Sequence, residues 1–237
     1  STGRVPDAIA MYTTVAAERT ESRVGAEAAL AIARIENAAG NLPGAIAALE
    51  SRLQTATATD GNDAVYVELA KAYRAAGKPA DAVRVARELL NFYPESTHIP
   101  EGVVELTRAL DENGESRQAL ELAQQAADRF DKNAEVAKNR ALLLSKGKDT
   151  RAAAAALLQA DILGADDPQV LLEAGLKYQE LAESDKSTDL LKKVIEKYPD
   201  SVQAVDAGVQ LGRSEYKSGN IAAAIDRLAA LSTAPNA

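Results

Sequence analysis

Histidine and cysteine set the first limit on the chemistry of this chain, because His98 is the single histidine and cysteine is absent. A serine or cysteine nucleophile activated by a neighbouring base would have to use His98. It lies in the segment STHIPE, between two predicted helical pairs, which favours an ordinary connecting residue. Zinc sites need several histidine or cysteine ligands. The sequence therefore predicts neither a nucleophilic enzyme nor a zinc protein.

Neighbouring carboxylates, which can serve in general acid–base catalysis, occur at Asp111–Glu112 and at Asp166–Asp167. The second pair precedes a proline and a predicted helix start, where acidic residues stabilise the helix N-terminus. Residues 60–63, DGND, lack the alternating oxygen ligands and the closing glutamate of a calcium loop. Residues 147–150, GKDT, lack the earlier glycine of a phosphate-binding loop. We therefore expect no enzymatic activity, no metal and no cofactor.

The composition narrows the classes of partner. The net charge of −8 argues against nucleic acid, because a phosphate backbone requires a basic face. The sequence contains no apolar run of about 18 residues, so no transmembrane segment is predicted. Aromatic residues make up 4% of the chain while alanine is abundant, which favours close helical packing over a thick sheet core.

Residues 62–94, NDAVYVELAKAYRAAGKPADAVRVARELLNFYP, are the best-preserved unit of a repeated pattern. Val65, Leu69 and Tyr73 share one helical face before Gly77, a residue that ends helices readily. A second apolar face follows, carried by Ala82, Val83, Ala86, Leu89 and Leu90. Neither short helix can bury its apolar stripe alone, so such pairs must stack on neighbouring pairs.

This unit resembles a tetratricopeptide repeat. The matching residues are Tyr66, Leu69, Ala70, Tyr73, Gly77, Ala82, Ala86, Leu89 and Pro94. The resemblance implies an all-α fold, an α-solenoid of stacked antiparallel helix pairs that coils into a right-handed superhelix. The first helix of each pair would line a concave groove. It also implies a non-enzymatic scaffold that binds a partner peptide or protein in that groove.

Turn glycines and alanines mark the other pairs. The glycines are Gly40, Gly77, Gly114, Gly147 and Gly219, and five residues after each stand Ala45, Ala82, Ala119, Ala152 and Ala224. In the fifth of the six pairs Ala182 replaces the glycine and Ser187 the alanine, so we expect a less tight turn there.

We predict one tetratricopeptide-like array over residues 1–237. Residues 6–20 resemble the second helix of a repeat and are followed by pairs at about 23–54, 62–94, 97–131, 134–164, 168–199 and 202–231. The pair at 134–164 should be the softest, because Asn139 and Arg140 occupy slots expected to hold an apolar and a small residue.

The residue six positions before each turn is expected to face the groove. These residues are Arg34, Lys71, Arg108, Ala141, Leu176 and Arg213. The three basic residues, together with Arg74, predict a positive stripe that attracts an acidic peptide or a C-terminal carboxylate. Alternatively, each basic residue pairs with a nearby acid such as Glu68, Glu105 or Asp111. Leu176 makes the second half of the groove less charged than the first.

Two further groove candidates are Asn37 and Tyr216. The clamp by which some tetratricopeptide proteins hold a chaperone tail uses lysine and asparagine, and Asn37 is the one candidate asparagine in this chain. The rest of that clamp is missing, which argues against a binder of chaperone tails. Tyr216 and Arg213 could contact a partner at the end of the groove, although Tyr216 could equally serve packing.

Two repeats end in a tyrosine, a proline, an acidic residue and a serine, in LLNFYPES (89–96) and VIEKYPDS (194–201). This ending resembles the repeat subtype of bacterial cell-envelope proteins, such as the lipoprotein component of outer-membrane protein assembly. That resemblance implies a periplasmic or outer-membrane-associated protein, with peripheral attachment through an N-terminus upstream of Ser1; otherwise the protein is cytoplasmic. The unpaired helix at 6–20 supports an alternative, a spacer or assembly segment of a larger secretion or polysaccharide-export protein.

Overall fold

The computed structural model describes residues 4–20, 22–55 and 61–231. Within these ranges every regular element is an α-helix, and there are thirteen. They are α1 (Arg4–Glu18), α2 (Arg23–Ala38), α3 (Leu42–Thr55), α4 (Asn62–Ala75), α5 (Pro79–Phe92), α6 (Ile99–Glu112), α7 (Ser116–Arg129), α8 (Ala134–Ser145), α9 (Thr150–Ile162), α10 (Pro168–Glu180), α11 (Ser184–Lys197), α12 (Val202–Lys217) and α13 (Ile221–Leu231). The predicted all-α solenoid of helix pairs is confirmed.

The chain divides into two compact units, Ser1–Ala126 and Ala127–Ala237. In the first unit each helix from α1 to α6 packs on the next, and the first helix α4 also contacts the first helices α2 and α6 on either side of it. In the second unit α8, α10 and α12 are in contact in the same way. Contact between a first helix and the first helix of the next pair is typical of stacked repeats. One array over 1–237 stays a prediction.

The turns within most pairs use one left-handed residue. Gly77 has a φ of 68°; its N–H donates to the Arg74 carbonyl at 2.9 Å, while the N–H of Lys78 donates to the Tyr73 carbonyl at 2.9 Å. This pair of hydrogen bonds satisfies carbonyls that the helix end leaves open. The same arrangement ends α2 at Gly40, α6 at Gly114 and α12 at Gly219, as the sequence predicts.

Ala182 forms the same turn as the glycines. Its φ is 58°, its N–H donates to the Gln179 carbonyl at 3.1 Å, and the N–H of Glu183 donates to the Tyr178 carbonyl at 2.9 Å. The expectation of a less tight turn was therefore wrong. The turn keeps its geometry, and the alanine instead adopts a left-handed backbone that costs about 1–2 kcal/mol for a residue with a Cβ atom.

The fourth pair is displaced by one residue from its predicted register. The N–H of Ala153 donates to the Asp149 carbonyl at 3.0 Å, as the N–H of Ala82 donates to the Lys78 carbonyl at 3.2 Å. Ala153 is buried and Ala152 is half-buried, so the close-packing alanine of this pair is Ala153. Gly147 does not have the positive φ of the turn glycines Gly40, Gly77, Gly114 and Gly219. The prediction that Gly147 forms the turn and Ala152 packs closely was wrong. Four residues separate α8 from α9, one more than separate α4 from α5.

The displacement also corrects the first helix of that pair. Ala141 is 0% exposed and belongs to a core cluster with Leu157 and Ala160. It therefore occupies the small-residue slot that we had assigned to Arg140, and it packs in the core instead of facing a groove. With Ala153 as the close-packing alanine, the turn position is Lys148, and the residue six positions before it is Leu142. That the pair at 134–164 is the softest stays a prediction.

A buried arginine joins three parts of the first unit. Arg52 of α3 is 3% exposed, and its Nε donates to Oδ1 of Asn62 at 2.8 Å. Its terminal nitrogens donate to the carbonyls of Thr20 and Ser22, in the connection between α1 and α2. These bonds hold that connection and the start of α4 against the end of α3.

Candidate protein-interaction surface

Ion pairs join the first helices of the first unit. Nζ of Lys71 on α4 lies 2.6 Å from Oε1 of Glu101 on α6, and 2.8 Å from Oε1 of Glu68 on α4. The pair of Lys71 and Glu101 is not a contact within one helix, because these residues are 30 apart in sequence and lie on different helices. The pairing therefore follows from the stacking of α4 on α6, and it places Lys71 on the face that these two helices share.

Arg74 forms the second link between α4 and α6. One terminal nitrogen lies 2.7 Å from Oε2 of Glu105, and the other side of the guanidinium contacts the carboxylate of Glu112. Glu105 is 2% exposed and also accepts from Arg108 at 3.2 Å. One buried carboxylate is thus shared by two arginines, which compensates its charge inside the interface.

The pKa values along this face follow from the pairing. Burial lowers the pKa of Lys71, but its hydrogen bonds to Glu101 and Glu68 outweigh burial and raise that pKa. Burial raises the pKa of Glu101, whereas its hydrogen bond to Lys71, with a smaller contribution from His98, lowers it overall. Both side chains are consequently charged at neutral pH and bind each other.

The expected positive stripe is thus largely neutralised along α4 and α6. Lys71 pairs with Glu68 and Arg108 with Glu105, which is the alternative that the sequence left open. On α2, Arg34 and Asn37 are exposed. Within the described ranges no ion pair involves Arg34, so its positive charge faces solvent. The basic character of the first-unit face is therefore concentrated at α2.

The first helices of the second unit carry different side chains at the equivalent positions. Leu142 of α8 and Leu176 of α10 are half-buried, and each packs beside a core cluster. Arg213 of α12 is exposed, and Tyr216 is 66% exposed, which leaves most of that side chain accessible to a partner. Leu176 as a groove residue stays a prediction, and sequence reasoning missed Leu142, the equivalent position in α8.

Glutamine side chains link α10 and α12. Nε2 of Gln203 donates to Oε1 of Gln169 at 3.3 Å, and Nε2 of Gln169 donates to Oε1 of Glu173 at 3.0 Å. Gln169 precedes Ala182 by 13 residues, just as Glu101 precedes Gly114 by 13. An amide in the second unit therefore stands where the first unit has the carboxylate that binds Lys71. Aligning the repeats at this position would have identified it.

Residues considered for chemistry have structural roles. His98 precedes the first residue of α6, its N–H donates to Oγ of Ser96 at 3.0 Å, and its Nδ1 lies 3.5 Å from Glu101. Asp167 caps α10 through the N–H of Gln169 at 2.8 Å. Asp60 of the segment 60–63 lies outside the described residues. Among those described, no group of three histidine or acidic side chains is placed to hold a metal ion.

Two family models described as tetratricopeptide repeat match the chain, one over residues 1–62 and 105–168 and the other over 64–96 and 169–201. The chain belongs to the tetratricopeptide repeat family. Tetratricopeptide folds generally mediate protein–protein interaction, and scaffolds of this family are typically non-catalytic. Across the described residues, no helix combines the length and the apolar character that crossing a membrane requires. A search of curated proteins finds no match.

Solved tetratricopeptide structures share this fold. A tetratricopeptide repeat protein from Parabacteroides merdae is 16% identical with a TM-score of 0.66, over 88% of this chain and 79% of that one. PilF of Pseudomonas aeruginosa is 19% identical with a TM-score of 0.64, over 73% and 76%. A thermophilic tetratricopeptide protein of Thermus thermophilus is 19% identical with a TM-score of 0.62, over 78% and 98%. At these identities the likeness concerns the fold alone.

Proposed function

We propose that this tetratricopeptide protein is a non-catalytic scaffold that holds a protein or peptide partner against the first-helix faces of its units. The observation that carries the proposal is the contact between consecutive first helices: α2 with α4, α4 with α6, α8 with α10, and α10 with α12. Each set forms one continuous face. Its half-buried and exposed side chains, among them Lys71, Leu176 and Tyr216, offer varied chemistry to a partner.

On the first unit, an acidic group of the partner would be bound at α2. Arg34 is exposed and without an ion pair in the described ranges, and Asn37 lies one turn further along the same helix. Lys71 and Arg108 would have to give up existing carboxylate partners before binding a new one. Replacing Arg34 should consequently weaken the binding of an acidic partner more than replacing Lys71 does.

Site-specific photo-crosslinking in an extract of the producing organism tests the proposal. A photoreactive amino acid would replace Asn37 on α2 or Tyr216 on α12, and Ile162 on the second helix α9 as the control, since Ile162 is 76% exposed. We expect discrete protein adducts from the two first-helix positions and none from the control. Adducts that form equally at Ile162, or turnover of a small molecule without any adduct, would contradict the scaffold.

We also propose a location in the bacterial cell envelope. The proposal is supported by the two repeat endings in tyrosine, proline, acid and serine at 93–96 and 198–201, which lie in the two repeats matched at 64–96 and 169–201. Fractionation of the producing cells, followed by immunodetection, should recover the protein with the periplasm or the outer membrane. Recovery with cytosolic markers would reject this location.

A further inference from the structure

The first-helix face of the second unit differs chemically from that of the first. Its central positions hold two leucines and four glutamines, which together we name the amide–leucine face: Leu142, Leu176, Gln169, Gln179, Gln203 and Gln210. All six side chains are half-buried, so each retains surface that a ligand can cover. In the first unit the positions equivalent to Leu142 on α8 and Gln169 on α10 hold Lys71 on α4 and Glu101 on α6, which bind each other.

The cations beside this face already bind carboxylates. Nζ of Lys138 lies 2.6 Å from Glu135 and 3.4 Å from Asp167, and Nζ of Lys177 lies 3.0 Å from Glu180. An acidic ligand would have to compete with these pairs and would meet the exposed Arg213 only at the α12 margin. The one carboxylate between Gln169 and Leu176, that of Glu173, already accepts from Gln169 at 3.0 Å. With these charged groups engaged, the centre of the face favours a ligand without charge.

Glutamine amides are suited to the backbone of an extended peptide. Each side-chain amide offers one acceptor oxygen and two N–H donors, the same groups that a peptide backbone presents. Gln203 and Gln169 form a chain of amides from α12 to α10, ending on Glu173. Leu142 and Leu176, at equivalent positions of successive first helices, offer apolar surface for aliphatic side chains of the same peptide.

We propose that the amide–leucine face binds an extended, uncharged segment of a protein partner, with aliphatic side chains on Leu142 and Leu176 and backbone amides on the glutamines. This inference rests on the proposed scaffold function and specifies the ligand of the second unit. Apolar anchors combined with backbone hydrogen bonds are a recurrent way to recognise extended peptides.

Selection from a random peptide library tests the inference. The full chain is immobilised and screened with phage that display peptides of about 12 residues, a length that spans several repeats when extended. Peptides rich in leucine, isoleucine or valine and poor in charged residues should be enriched. Enrichment of acidic peptides, or no enrichment at all, would overturn the inference.

Variants then locate the binding site of a selected, fluorescently labelled peptide by anisotropy. The double variant Leu142→Gln and Leu176→Gln should weaken binding at least about tenfold, as expected for the loss of central apolar contacts. Gln179→Glu adds a charge at a half-buried position outside the core clusters, so it tests the face without disturbing packing, and it should also weaken binding. Ile162→Gln makes the same kind of exchange on α9 and should leave binding unchanged.

The variants also separate this inference from the scaffold function. Binding that is weakened by Arg34→Ser but not by Gln179→Glu would keep the scaffold and reject the amide–leucine face. Binding weakened by Ile162→Gln alone would reject both. If the face instead takes a second copy of the chain, the protein should associate with itself at rising concentration, and Gln179→Glu should prevent that association; this result would overturn the proposed ligand.

Discussion

Replacing Ala182 by glycine should stabilise the protein, because the turn between α10 and α11 holds an alanine in a left-handed backbone with a φ of 58°. This conformation costs an alanine about 1–2 kcal/mol. Glycine avoids that cost but has more freedom in the unfolded chain, which takes back about 0.4–1 kcal/mol. The difference predicts an increase in the free energy of unfolding of about 0.5–1 kcal/mol.

Gly77→Ala is the matched reverse exchange. Gly77 has a φ of 68° and makes the same two hydrogen bonds as Ala182. A Cβ atom added at Gly77 would have no neighbouring atom within 4 Å, so the substitution introduces backbone strain without a steric clash. We expect Gly77→Ala to lower the free energy of unfolding by about the amount that Ala182→Gly raises it.

Urea unfolding followed by circular dichroism measures both changes as shifts of the midpoint at constant slope. Hydrogen exchange of the Glu183 and Lys78 amides, which donate the closing hydrogen bonds of the two turns, gives a local measurement. Protection of Glu183 should rise in Ala182→Gly, and protection of Lys78 should fall in Gly77→Ala. A loss in Gly77→Ala without a gain in Ala182→Gly would show that Ala182 is unstrained and would refute the reasoning.

Three further substitutions test other parts of the fold. Arg52→Met should lower the free energy of unfolding by about 3 kcal/mol, because it leaves buried acceptors without their donor; the urea midpoint measures it. Gly102→Ala should lower it by about 1–2 kcal/mol, because the added Cβ atom would overlap the buried side chain of Leu89. Glu101 has a lowered pKa in the folded protein, so the stability that it contributes is present above its ordinary pKa of 4.5 and is lost as the pH falls through the folded-state value. Lys71→Met should reduce this loss on acidification.

Each of these predictions has a contrasting result. Arg84→Met exchanges an exposed arginine and should lower the free energy of unfolding by less than about 1 kcal/mol, as exposed ion pairs contribute little. If Arg52→Met lowered it by no more than Arg84→Met does, the buried hydrogen bonds of Arg52 would not be important for stability. A Gly102→Ala protein as stable as the parent would mean that Leu89 can move. An unchanged pH dependence in Lys71→Met would show that Glu101 is not linked to Lys71 in solution.

The helices and most of the turns could be predicted from the sequence, because both depend on local signals. Apolar residues repeat with helical spacing, and Gly40, Gly77, Gly114 and Gly219 stand where a left-handed backbone is needed. Gly147 shows the limit of this reasoning. A glycine permits a left-handed turn without requiring one, and the length of a connection cannot be read from one residue.

The charges of the candidate surface were harder to predict. The spacing of Arg34, Lys71 and Arg108 correctly identified equivalent positions, but their partners depend on how one helix lies against the next. Glu101 is 30 residues from Lys71 in sequence and became its partner only through the stacking of α4 on α6. The single-helix alternative, in which Lys71 pairs with Glu68, was predictable because those residues are one turn apart.

The offset between partners explains where recognition should be sought in a repeat array. Side chains separated by about one repeat, such as Lys71 with Glu101 or Arg74 with Glu105, lie side by side on neighbouring first helices. Opposite charges at this offset bind each other before a partner arrives, and a ligand must then compete with them. Leu176 has no such charge to neutralise, so its surface remains available. A basic residue repeated at regular spacing therefore indicates a binding stripe only where no acidic residue lies about one repeat further along the sequence, on the neighbouring first helix. The Arg34 substitution tests this rule in the first unit.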